Sequence, residues 1–533
     1  MSEIRCVYYS EFGAVGDGVT EDFAAIKRCH EYANENGCRV AADSGAKYFI
    51  GETCGETVMV KTDVDWQDAT FIINDKIIPP ESKSRAVNVF TIASDTPIRT
   101  LGRDSLVVKE LNESGIKAQE IKNIGYAPGY PALLVVHGNE STAYLRWGVH
   151  ATGQPNPQRE LIVIDADGNI DPDTPFLLDY MGVTHIEEQR IDDKPITVEG
   201  GTFITIANCA PPMYTAYARG ILVSRANAIL KNIVHKITDE GPYGAPYSGF
   251  LRMHFANNVL IENVTLQAHK SYKDYEYDKD GNVIKVHSVM GSYDIGGQFA
   301  NKITLRGCVQ SDFYKYAEKD IAYCELERWG IMGSNYCKNF YYDNCVLSRF
   351  DAHAGVYNVT IKNSVISYIK LIGGGTALIE NTRVIAPEGF NQPFIELRGD
   401  YGSTWHGEII IKDCEYLNWH GRAGVYIPWK DDGVYLASVL WNNWPFGYKT
   451  YLPTVTVDNL KIDKPYDTIY IFDKMVNDDS TRIDMPTLND GSINENPMHI
   501  AVTVTIRNNK CGYKYEGTTN SYANEKITLK EEK

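Results

Sequence analysis

One short strand-like phrase, an apolar residue, a polar one, Asn and a small apolar one, returns along this chain, and a returning strand dictates a coil that stacks on itself rather than a globule. It reads Leu230-Lys231-Asn232-Ile233, Ile261-Glu262-Asn263-Val264, Leu305-Arg306-Gly307-Cys308, Tyr342-Asp343-Asn344-Cys345, Ile361-Lys362-Asn363-Ser364, Ile379-Glu380-Asn381-Thr382, Ile411-Lys412-Asp413-Cys414 and Val457-Asp458-Asn459-Leu460. Its tightest spacings are 19 residues, Asn344 to Asn363, and 18, Asn363 to Asn381. The other intervals fit one or two such coils with loops inserted. A strand repeat of this length predicts a β-solenoid.

The local chemistry agrees with that reading. Apolar and polar residues alternate over four to six positions with one face to bury, and no helical stripe is sustained between 195 and 465. The Asn at the end of each phrase can bend the backbone and hydrogen-bond to its counterpart one coil away; Gly307 and Asp413 suit the same bend. Cys308, Cys345 and Cys414 fill the next slot, held elsewhere by Ile233, Val264, Ser364, Thr382 and Leu460, so they read as one column of small core residues. The odd count of 11 cysteines, without any CxxC, argues against disulfides or zinc.

The ends and inserts carry further signals. Phe12 to Asp22 is a Gly-rich turn running into a helix, with Thr20 as the expected N-cap, Phe23, Ile26, Cys29 and Ala33 on one apolar face, and Gly37 as the stop. Such a helix can plug the open end of a solenoid. Residues 1–100 therefore read as N-terminal cap and first coils, 101–190 as an inserted β-rich module, 191–470 as the main solenoid with Trp-rich loops, and 471–533 as a last coil and tail. Within the insert, Asp165-Ala166-Asp167-Gly168-Asn169 reads as a hairpin turn rather than a calcium loop, because Phe176 stands where an EF-hand needs Glu. Tyr272 to Lys285 reads as a hairpin leaving the solenoid.

Charge and hydropathy narrow the partners. A net charge of −17 argues against nucleic acid, and would repel a polyanionic sugar unless basic residues gather locally. No apolar run is long enough for a membrane span and no leader is evident, which predicts a cytoplasmic or phage-associated protein, or a secreted one if a signal was removed.

The stretch from Phe12 to Ile26, followed by a strand and Tyr48-Phe49-Ile50, resembles the N-terminal cap of the pectate-lyase-like right-handed parallel β-helix superfamily. With the ladder, the resemblance covers most of the chain. It implies an all-β, right-handed parallel β-helix with an N-terminal capping helix and inserted β-rich loops. It also implies a poly- or oligosaccharide partner, since the superfamily holds polysaccharide lyases, glycoside hydrolases, uronan epimerases and phage tailspikes, with homotrimers among the assemblies to expect. It leaves the reaction open. The Asn-Thr-Asp, Gly-His-Gly and Arg-Ile-Lys motifs of polygalacturonases are missing, and the Asp pairs at 192, 431 and 478 lie off the repeat face.

In such a solenoid, equal offsets in successive coils become neighbours about 4.8 Å apart. Counting back seven from Asn301, Asn339 and Asn358 reaches Asp294, Met332 and Asp351. The two aspartates are thus expected two coils apart, roughly 9.6 Å, a spacing that suits an inverting glycosidase. Asp294 and Asp351 are the candidate catalytic pair, with His353 beside them. Arg328, Trp329, Asn335 and Arg349 precede the strand phrases on the same expected face; His235, Glu240, Tyr247 and Lys270 would extend it, and Trp405 and Trp419 belong to an aromatic concentration that would wall a cleft. Lys338 and Lys270 read as solvated unless the substrate is acidic. Hydrolysis of a glycan, with no cofactor or metal, leads on this reading. The alternatives are a lyase eliminating across a uronate, with Arg349, Arg328 or Lys270 serving and calcium as its cofactor, and a glycan-binding tailspike without a catalyst.

Overall fold

The computed structural model describes residues 5–139, 144–146, 154–210, 216–240, 245–270, 272–280, 283–290, 292–311, 331–386, 393–398, 405–418, 434–439, 452–462, 468–472, 502–517 and 527–532. The chain winds as a parallel β-helix of three sheets, with the right-handed sense that parallel crossovers adopt. One sheet contains every repeat phrase in a single register. Leu230 pairs with Ile261, then Leu305, Tyr342, Ile361, Ile379, Ile411 and Val457 in succession. All eight side chains are buried in one continuous core.

The bend after each phrase is the reason for its Asn. Asn232, Asn263, Asn344, Asn363, Asn381, Asp413 and Asn459 all take left-handed backbone angles, with φ between 46° and 58°, a region Asn and Asp tolerate better than most residues. Their side chains build part of a ladder: Asn381 Nδ2 donates to Asn363 Oδ1 and Asn363 Nδ2 to Asp343 Oδ1, both at 2.8 Å. A second ladder climbs the opposite end of the same sheet, from Asn358 to Asn339, Asn301 and Asn257. In the next slot, the thiols of Cys308, Cys345 and Cys414 donate to carbonyls of the preceding coil, Ile261, Leu305 and Ile379, so this column is hydrogen-bonded as well as small. The ten described cysteines are free thiols.

At the N-terminus, helix α1 (Phe23–Asn36) buries Phe23, Ile26, Cys29 and Ala33 against the first coils and ends at Gly37, φ 65°. Its N-cap is Asp22 rather than Thr20. The Asp22 carboxylate accepts from the backbone amides of Val15 and Gly16 at 2.7 and 3.2 Å, so it ties the Gly-rich turn to the helix start. Thr20 instead donates to Asp17.

Residues 99–190 leave the solenoid. Arg99–Leu101, Ala132–Gly138, Arg159–Ile164 and Val183–Arg190 form an antiparallel sheet, covered on one face by α2 (Leu106–Ser114) and a core of its own. Asp165 accepts from the amides of Asp167 and Asn169, closing the expected turn. The other face of this sheet presents Leu133, Val135 and Leu161 to Phe255 and Phe299 of the solenoid. Lys338, read from sequence as solvated, is buried in this seam beside Glu160 at 3.5 Å, with burial pulling its ammonium down to about 8. Tyr272–Tyr277 and Val283–Met290 pair as a separate antiparallel hairpin.

Candidate functional site

The strands Ser248–Glu262, Tyr293–Arg306, Ile331–Asp343 and Val346–Lys362 run unbroken around one corner of the solenoid. Their first halves form a second parallel sheet whose outer surface is polar. Strand alternation decides what reaches it: Phe350 and Ala352 point into the core, so Arg349, Asp351 and His353 point outward. Register then builds columns. One runs Arg252, Gly296, Gly333, Asp351, Lys370, Glu396, and the next runs His254, Gln298, Asn335, His353. The two glycines leave a trough. A Cβ on Gly333 would collide with the Tyr293 ring, and that bare backbone lets Tyr293 lie across the trough floor with its hydroxyl 3.1 Å from His353 Nδ1.

At the centre, Asp351 is wholly buried although it points outward, because cations cover it. Arg349 and Arg398 both contact its carboxylate, and His353 Nε2 lies 3.3 Å from Oδ1. Asp351, His353 and Tyr293 thus form a connected line from a buried charge to a phenol. Lys370 pairs with Glu396 at 3.0 Å, and Glu396 also receives the Tyr368 hydroxyl. Burial pulls the Lys370 ammonium down to about 8, against the opposing pull of Glu396. Three cations, Arg349, Arg398 and Lys370, meet two carboxylates here, and Arg252 adds a fourth cation three coils from Asp351 in the same column. An acidic protein has gathered a basic patch at one place on its surface.

Asp294 lies elsewhere. The register slips between Tyr293 and Ile295, and this bulge turns Asp294 into the corner between two sheets, where Gln310 Nε2 donates to it at 2.5 Å and the amide of His269 at 3.4 Å. Burial raises its carboxyl to about 6. The residue in register with Asp351 two coils away is Gly296, not Asp294. The two aspartates therefore do not stand in one column: Asn301 pairs with Lys338 rather than Asn339, and the register slips again between Asn335 and Cys337, so equal counts back from the asparagines do not reach register partners.

The corner collects several other expected residues. Glu240 accepts from the Lys270 amide and lies 2.9 Å from His269 Nδ1; Tyr247 stacks on His269 and donates to Asp75, which Arg219 also binds at 2.9 Å. His235 stacks on Phe250 inside the core, and burial holds its imidazole neutral. Glu240, Lys270, His269, Tyr247 and Asp75 are linked beneath the surface, and His235 Nε2 meets Thr205 Oγ1. His235, Glu240 and Tyr247 therefore line a buried network rather than a groove, and Lys270 joins it through its backbone. Trp405 is also a correction: it is wholly buried, with its indole N–H donating to Gly375 O. Asn335, Arg349, Asp351 and His353 do meet in the trough. Arg328, Trp329 and Trp419 lie outside the described residues.

Sequence reasoning passed over Tyr293, Tyr368, Lys370, Glu396 and Arg398. For two of them the signal was present: the 19-residue spacing carries Arg349 to Tyr368 and Asp351 to Lys370.

No protein-family model and no curated protein matches the chain. Among solved structures, it is similar to the Gp54 tailspike of Acinetobacter baumannii bacteriophage AP22, solved with a capsular saccharide, at 9% identity and TM-score 0.45 over 98% of this chain and 79% of that one. It is similar also to the gp61 tailspike of Pseudomonas phage phi297, at 10% identity and TM-score 0.40 over 94% and 75% of the two chains. A third is the mannuronan C-5 epimerase AlgE4 A-module of Azotobacter vinelandii, at 12% identity and TM-score 0.34 over 96% and 89%. Likeness at this level speaks to neither substrate nor reaction; the parallel β-helix itself is read from the strand pairing.

Proposed function

We propose that the protein is a carbohydrate-active enzyme that eliminates across a uronate in an acidic glycan, with the outer trough as its site. The observation that carries this reading is the line Asp351, His353, Tyr293 beside Arg349. Proton abstraction next to a sugar carboxylate needs a base and a cation that tempers the developing negative charge. In this arrangement Tyr293 takes the C5 proton while passing its own to His353 Nδ1, and Asp351 stabilises the imidazolium so formed. Arg349, with Lys370 nearby, faces the substrate carboxylate; the C5–H electron pair becomes the C4=C5 double bond as the C4–O bond breaks, and the leaving oxygen takes a proton from Tyr293, which recovers its own from His353. Arg398 and Asp351 position these groups from beneath.

Hydrolysis is the second reading. It is favoured by Asp294, whose carboxyl, held at about 6, would stay protonated where a general acid works. Its burial and its distance in register from Asp351 leave it second.

Incubation with a panel of acidic and neutral glycans separates the readings. Elimination releases product with the ultraviolet absorbance of an unsaturated uronate, and Tyr293→Phe and His353→Asn each lower that rate by about a hundredfold or more. New reducing ends without absorbance would replace elimination by hydrolysis. Binding without product would make the protein a glycan-binding one.

A further inference from the structure

The seam between the inserted sheet and the solenoid holds a second group of side chains that the trough does not use. His137 and His185 are direct cross-strand partners on adjacent antiparallel strands, and Glu187 stands two residues beyond His185, opposite Val135. Strand alternation puts all three on the face that carries Leu133 and Val135, which is the face turned to the solenoid. One ligand atom from each lies within 4.8 Å of the other two. The imidazole rings stack at 4.0 Å and 16°, and His137 Nε2 meets Glu187 Oε2 at 2.8 Å.

We propose that His137, His185 and Glu187 bind a divalent transition-metal ion of the zinc type in this seam. Two imidazoles with one carboxylate form a donor set that suits zinc and its first-row neighbours, whereas calcium and magnesium want oxygen ligands alone. Three protein ligands leave a fourth position open, and the side-chain exposures of His137 and Glu187, 16% and 31%, leave access to it. Zinc–ligand bonds of about 2.0–2.2 Å need the three donors drawn closer around one point, which side-chain rotation achieves here because the ligands sit on neighbouring strands of one sheet. The outer partner of His185 is already in place: its Nδ1 lies 2.9 Å from Thr184 Oγ1, leaving Nε2 for the metal.

The surrounding charges are consistent with a cation. Arg159 is the nearby opposing charge, bearing on both His137 and His254. Its guanidinium is held over the Phe299 and Tyr336 rings, 5.3 and 5.1 Å from their centroids. From the solenoid side His254 is close enough to feel Glu187, with Arg252 acting on it as well. All three ligands belong to the inserted sheet, so an ion here would brace its two adjacent strands on the face turned to the solenoid.

The test is metal binding by the full chain, with zinc and cobalt as the probes. Equilibrium dialysis against Zn²⁺ near neutral pH, followed by elemental analysis, should give one zinc bound through this site, and Co²⁺ in its place should give visible ligand-field absorption. His185→Ala should weaken zinc binding beyond the ~10–100-fold that loss of a supporting partner costs, with the circular dichroism unchanged. Glu187→Gln, nearly isosteric, guards against misfolding and should weaken binding at least about tenfold. Zinc binding equal to that of the unaltered protein in both variants, or no ligand-field band with Co²⁺, would overturn the site.

Discussion

Replacing Asp351 with Asn tests whether a buried carboxylate holds the trough together. The change keeps the shape and one carbonyl oxygen but removes the negative charge that Arg349, Arg398 and His353 share. Breaking a buried ion pair from one side costs about 3–5 kcal/mol, because the other charge is left uncompensated. Asn still accepts one hydrogen bond, so the lower end, about 3 kcal/mol, is expected. For 533 residues at roughly 2.1 cal/mol/K each, the unfolding entropy is about 1.1 kcal/mol/K if the chain melts as one unit, and Tm falls by about 3 °C. Coils that melt in smaller blocks would give a larger shift. Scanning calorimetry reads the shift, and Arg398→Gln completes a cycle. The double variant should lose about 1–3 kcal/mol less than the sum of the singles, since it no longer buries a guanidinium that has lost the Asp351 carboxylate. A single-variant shift under about 1 °C, or strict additivity, would refute the reasoning.

Two further outcomes follow from the ladder and the corner. Asn363→Ala forces a left-handed angle, φ 52°, on Ala and deletes hydrogen bonds to Asp343 and from Asn381; a loss of about 1–2 kcal/mol is expected, and Asn363→Gly, which relieves the backbone, should recover part of it in urea unfolding. Asp294 is raised to about 6 by burial, so between the ordinary value of about 3.9 and that point the folded state holds more protons than the unfolded chain, and stability falls as pH rises across the window. Asp294→Asn should therefore raise Tm relative to the unaltered protein above pH ~6 and bring little gain near pH ~4, and a gain that is the same at both would exclude the proton as its cause.

The solenoid was legible because its information is periodic. Leu230, Ile261 and their successors obey one rule in every coil, and the bend after them needs a residue that accepts φ near 50°, so Asn repeats where other residues would be strained. The site was legible only in part, since it depends on departures from the period. The pairing of Asn301 with Lys338 and the slip between Asn335 and Cys337 have no residue signature of their own, and they put Asp294 out of the expected column. His235, Glu240 and Tyr247 were read as groove residues from their place just after Asn232. Their parity and the corner they turn into were not accessible without the coil they belong to. Arg398 reached Asp351 from a coil whose length is set by a loop rather than by the repeat, and no spacing in the phrases leads to it.

Parity also decides which of the two polar clusters can meet a glycan. Coils stacked about 4.8 Å apart leave no passage for a sugar between them, so a group on the inner side of a strand can act only on its neighbours in the core. Asp294, Tyr247 and His269 are buried at the corner, where the His269 amide and Gln310 donate to Asp294 and Tyr247 stacks on His269 and donates to Asp75. A raised carboxyl there reflects the cost of burying charge. The outward set differs: Asp351 is covered by partners that are themselves partly exposed, Arg349 at 17% and His353 at 14%. Its charge therefore acts through groups that solvent, and a polymer lying in the trough, can touch. A perturbed acid alone would have pointed to the corner; the direction of the strand residues points to the trough.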